Sequence, residues 1–165
     1  MDPDIVTSQI RAALRTLRAT VEACPEGLWR RRVGHSAFWA LAYHGVFFAH
    51  LYLSPSEEAF EPFVREVAGR EGFGRTDLDD WSTLTDDDVY SREDVIAYCD
   101  FVDEQTGRWV ESKPFDQPSG FYWLEFTRGE AHLYNLRHIQ HHAAQLADRL
   151  RQELDVGTRW IPSGR

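Results

Sequence analysis

Seven histidines, at positions 35, 44, 50, 132, 138, 141 and 142, carry the most evident chemical potential in this chain. Three of them fall in one short run, RHIQHH, from Arg137 to His142. On a helix, His138 and His142 lie about 40° apart around the axis and one turn apart along it, so two imidazoles can address one ion. That is the spacing by which a helix supplies two metal ligands. His141 falls about 60° to the other side of His138 and should face away. An HxxxH also arises as a surface pair, so a metal centre needs a third ligand from a facing helix. His44 suits that role, because its helical neighbours Ala37, Leu41, Phe48 and Leu51 are apolar and would bury it. A core histidine bonded to a carbonyl is the competing reading. His50, near Tyr43 and Ser36 on the same helix, is expected to meet a polar boundary. Buried imidazoles without a partner cost free energy that a divalent ion offsets. The polar row Asn135, His138, His142 and Gln145 borders an apolar stripe, where a lined pocket would open.

The elements that must position these residues are helical. Val6, Ile10, Ala13, Leu14, Leu17 and Val21 form one apolar stripe, with Asp2 as its cap and Pro3 in its first turn. Arg11, Arg15 and Arg18 form a second stripe on that helix, read as a solvated face in preference to an anion site. After Pro25 and Gly27 a second helix is expected from about Ser36 to Leu53, ended by Ser54-Pro55. Phe60, Phe63, Val64 and Val67 suggest a short helix before the glycines at 69, 72 and 74. The acidic run from Asp77 to Asp88 lacks calcium-loop spacing and reads as a solvated connection. Ser91 and Asp94 resemble a capping signal for a third helix through Val95, Tyr98, Cys99, Val102 and Trp109, stopping before Pro114. Thr127-Arg128-Gly129-Glu130 has capping-box spacing for a fourth helix running to about Leu154. No sustained strand alternation appears. A four-helix bundle follows, with the first two helices as antiparallel neighbours and a long connection between the second and third.

A chain of 165 residues with 42% hydrophobic, 27% charged and 13% aromatic residues is expected to form one domain, 1–165, and is too aromatic for disorder. Its net charge of −9 argues against nucleic acid as a partner. Phe38 to Leu53 is apolar almost all round, yet it is short for a membrane span and holds His44 and His50, so a buried bundle helix is expected and no membrane association. Cys24 and Cys99 make neither a disulfide framework nor a CxxC site and read as buried packing residues. The Met1-Asp2-Pro3-Asp4 start lacks signal-peptide features, so the cytoplasm is the expected location. No Ser-His-Asp arrangement or phosphate-binding glycine loop is evident.

The segment WALAYHGVFFAHLYLS from Trp39 to Ser54, the run FYWLEFTRGEAHLYNLRHIQHHAAQL from Phe121 to Leu146, and their order resemble the DinB-like (damage-inducible) superfamily of metal-binding four-helix bundles. The resemblance covers the helices throughout and is strongest in the second and fourth. It implies an all-α bundle holding a divalent metal on three histidines, carried over by position to His44, His138 and His142. Some members of the wider superfamily look like thiol-dependent S-transferases or isomerases. The resemblance therefore implies a metal-dependent enzyme in which zinc or nickel activates a low-molecular-weight thiol or a water, with a small-molecule substrate. Tyr134, Asn135 and Arg137 are candidate orienting groups, with Arg137 also readable as a plain surface residue. The alternative is a non-catalytic metal- or ligand-binding stress-response protein. Abundant aromatics and the all-round apolar second helix further suggest a homodimer.

Overall fold

In a computed structural model, residues 1–33, 36–63 and 88–165 are described. The elements are α1 (Pro3–Glu22), α2 (Glu26–Trp29), β1 (Arg32–Val33), β2 (Ser36–Ala37), α3 (Phe38–Leu53), α4 (Arg92–Val110) and α5 (Arg128–Leu154). Their starts follow local chemistry. Asp2 accepts from the Asp4 amide at 2.9 Å, Ser91 from the Asp94 amide at 3.0 Å and Thr127 from the Glu130 amide at 3.3 Å. Each cap satisfies an N–H that the first helical turn leaves free. α5 ends where Asp155 turns left-handed at φ 56°.

The four long helices form the bundle. α1 and α3 occupy opposite corners, and each packs against both α4 and α5. The expected side-by-side placement of the first two helices is therefore wrong. Between them the chain makes the single turn α2 and the antiparallel pair β1–β2, which gives it the reach to cross the end of the bundle. That hairpin also takes Ser36 and Ala37, so α3 begins at Phe38 rather than at Ser36.

Amphipathic helices face the core with one stripe, as Ile10, Leu17 and Val21 of α1 do. α3 is different: 14 of its 16 residues are buried, and no described helix is long and apolar enough to cross a membrane. Only His44 and Phe48, one turn apart, are less than fully buried in it.

The arginine stripe of α1 is not simply a solvated face. Arg15 pairs with Asp103 at 3.1 Å, Arg18 with Asp100 at 2.6 Å, and Arg11 donates to the Asp103 carbonyl at 3.1 Å. It is an ion-pair seam to α4. Phe60 and Phe63 are not helical either: Phe60 packs on Phe47 and His50, and Phe63 stacks on Tyr98 at 4.5 Å. Val64, Val67, the glycines 69, 72 and 74, His35 and the acidic run up to residue 87 lie outside the described residues.

Candidate metal centre

α3 and α5 bring three histidines together. His44 faces α5 from the one strip where α3 nears the surface, with its ring 4.6 Å from that of Phe48. Across the seam, its centroid is 5.3 Å from His138 and 4.8 Å from His142. Each of the three offers a nitrogen within 4.8 Å of the other two, and no other described His, Cys, Asp or Glu joins the group. These three imidazoles could hold a metal ion.

The contact between the two α5 histidines tests the fit. His138 Nε2 and His142 Nε2 lie 3.1 Å apart, and Gln145 Oε1 sits 2.9 Å from His142 Nδ1. Gln145 as acceptor places the His142 proton on Nδ1 and leaves the Nε2 lone pair facing His138. Without an ion, His138 would have to donate through its own Nε2. That would strand its Nδ1, which is buried with no hydrogen-bond partner, as a lone pair. A cation receiving both Nε2 lone pairs removes the need for His138 Nε2 to donate, with the His138 proton then on Nδ1, which has no partner in either state. Two nitrogens about 2.05 Å from one ion, at angles between about 90° and 109°, are about 2.9–3.3 Å apart, and the observed separation lies inside that window.

Residues 9–146 match the sequence profile of the DinB superfamily. The chain belongs to the DinB superfamily. No curated protein and no solved structure matches it. The mostly helical fold agrees with that membership.

Electrostatics keep the two α5 histidines of the cluster in the neutral form. Burial, then the neighbours His142, His44 and His141, push His138 down to about 3. Burial, then His44, pushes His142 down to about 4, with the Gln145 bond working the other way. Both rings are neutral at pH 7, as metal ligation requires. His141 is exposed and outside the cluster, on the side its spacing predicts.

Other candidates are placed differently from the sequence reading. His50 does not meet a polar boundary: it is 1% exposed and boxed by Phe60, Phe101 and Trp109, with Nδ1 2.9 Å from the Tyr98 hydroxyl. Asn135 does not line a pocket. It is fully buried and donates through Nδ2 to the Ala49 carbonyl at 3.0 Å. Tyr134 and Arg137, by contrast, line an open cleft of about 580 Å³ together with His138, Gln140, His141 and Ala144. Tyr52, whose phenol is pushed up by burial, packs against both Tyr134 and His138 and belongs to this aromatic wall. The sequence reading missed it, although its spacing of eight residues from His44 puts it on the same face of α3. Cys24 and Cys99 are buried free thiols pushed up to about 12 by burial, so neither is a nucleophile at neutral pH.

Proposed function

We propose that His44, His138 and His142 hold one divalent transition metal, zinc or nickel, and that the chain is a metal-dependent enzyme acting on a small molecule, with a thiol-dependent S-transfer as the leading reaction class. The observation that carries this reading is a cluster of three half-buried imidazoles beside an open cleft, with no fourth protein ligand among the described residues. Three protein ligands and an open position are the pattern of catalytic zinc sites, whereas structural sites are closed by four. A metal bound there would lower the pKa of a thiol or water at the open position and so supply a nucleophile at neutral pH.

The residues of the chain have separate tasks. His142 is oriented by Gln145, which keeps its Nε2 lone pair directed at the cluster. Phe48, Tyr52 and Tyr134 wall His138 with aromatic rings and limit water on that side. Arg137, on the cleft, is placed to pair with an anionic part of a bound molecule. The thiol class is taken from the family resemblance.

Metal content after purification without chelators tests the ligand set. The native chain should carry about one equivalent of metal. His44→Ala and His142→Ala should lose it and His141→Ala should retain it. Full metal content in either of the first two variants would overturn the assignment. A screen of thiol and electrophile pairs on the metal-loaded chain then tests the reaction class, and turnover that survives complete metal removal would reject it.

A further inference from the structure

The helix that carries two of the histidines meets α3 through a regular polar series. Arg128, Asn135, His142 and Arg149 are seven residues apart along α5, and each reaches α3 or the strand leading into it. Arg128, fully buried, donates through Nη1 to the Tyr52 carbonyl at 3.0 Å and to the Ser119 carbonyl at 3.5 Å, and through Nη2 to the Leu53 carbonyl. Asn135 donates to the Ala49 carbonyl. His142 meets the His44 ring, and its Cβ lies 3.3 Å from where a Cβ on Gly45 would be. Arg149 donates to the Ser36 carbonyl and the Ser36 hydroxyl, both at 3.1 Å. The partners descend from Leu53 to Ser36 as α5 ascends, so the two helices are antiparallel along a seam of about 32 Å.

We propose that Arg128, Asn135 and Arg149 are positioning residues that lock the register of α5 against α3 and thereby set the spacing of His44 from His138 and His142. This inference rests on the three-histidine reading of the site. Its physical basis is the difference between apolar and polar contacts. Apolar side chains pack almost as well after a slip of one turn, whereas a slip here would strand buried donors on several rungs at once.

Asn135 makes the case sharpest. Its Oδ1 is buried with no partner, a defect that a leucine would not have, so stability alone does not account for an amide at this position. A single buried asparagine at a helix seam fixes register at a cost in stability. The ladder surrounds the metal rung on both sides: Asn135 is three residues from His138, and Arg149 is seven from His142. Arg128 is a buried cation with two hydrogen-bond partners, the Tyr52 and Leu53 carbonyls, at the end of α3, where the helix dipole favours positive charge.

The test uses Asn135→Leu, Arg149→Met and Arg149→Lys in the full chain, with cobalt(II) as the metal probe. Asn135→Leu should keep or raise the urea midpoint and yet bind cobalt about tenfold more weakly, with a shifted visible absorption spectrum. Arg149→Met should weaken cobalt binding to a smaller extent, and Arg149→Lys should restore most of the loss, because the ammonium can still donate to Ser36. Folded Leu and Met variants with native cobalt affinity and spectrum would overturn the proposal. So would losses that merely follow the urea midpoint. If Asn135→Leu does not fold, the Arg149 pair decides alone. Ring-nitrogen NMR of the metal-free chain reports the His138–His142 contact independently of any metal. Signals that shift in the variants of a chain that binds no cobalt would reject the metal reading and keep the register lock, whereas unshifted signals would reject the lock.

Discussion

His50 and His132 show what burial does to an imidazole outside the three-histidine cluster. His50 is held at about 4 by burial inside its aromatic box, and His132, packed against Phe115, is held at about 3 by burial and then by the Arg128 charge. Both lie below the ordinary value of about 6.5, so between pH 6.5 and 4 the unfolded chain binds more protons than the folded one. Stability is therefore full above pH 6.5 and falls as the solution is acidified through that window, by up to about 1.4 kcal/mol per pH unit for each histidine. His50→Gln, which keeps a partner for the Tyr98 hydroxyl without titrating, should make the acid limb shallower by about one such increment. Urea midpoints measured from pH 7 to pH 4.5 would show it, and an unchanged slope would contradict the burial argument. The same pressure acts on His138 and His142, where it keeps the rings in the neutral form that the proposed centre requires.

Among the elements, α3 and α5 decide the site, and at Gly45 the room between them is tight. A Cβ there would stand 3.3 Å from the His142 Cβ and 3.3 Å from Leu17 Cδ2. Leu17 can rotate away, but the His142 Cβ moves only with the backbone of α5. Gly45→Ala gains about 1 kcal/mol of helix propensity and pushes α5 outward at the ligand rung. Its expected result is a chain of roughly unchanged stability with several-fold weaker metal binding, and Gly45→Val should be weaker again. Isothermal titration with zinc distinguishes these outcomes, and native affinity in both variants would show that the approach is not limiting. At the start of α5, Thr127→Ala removes the cap of the helix that carries both ligands. It should cost about 1 kcal/mol in chemical denaturation, and no change would mean that solvent serves the free amide equally well.

For the whole molecule, burial of α3 within its own chain removes one of the two reasons for expecting a homodimer. The proposal of a homodimer now rests on large apolar side chains left at the surface, including Ile5, Leu133 and Trp160. Light scattering at micromolar concentration should give twice the chain mass, and a monomer would end that proposal. How the four long helices surround the site was only partly legible beforehand. Cap residues and apolar periodicity are local, so the starts of α1, α4 and α5 and the end of α5 could be read directly. Corner assignment is not local. It depends on which faces bury most area together, and the α1 arginines find α4 acids that no spacing within α1 could reveal.

The sequence by itself determined the helical class, the family, and the pairing of His138 with His142, because helix geometry alone puts residues four apart on one face. It also singled out His44 from the apolar neighbours on its helix. What only the tertiary structure decided was which histidine on α3 faces α5. His44 and His50 are six residues apart on a helix that is apolar almost all round, so periodicity cannot say which face meets which partner. Packing resolved it: α4 contributes Tyr98, Phe101 and Trp109 around His50, while α5 brings His138 and His142 to His44. The register that joins them comes from hydrogen bonds between residues 75 to 113 positions apart, and such contacts exist only once the chain has folded.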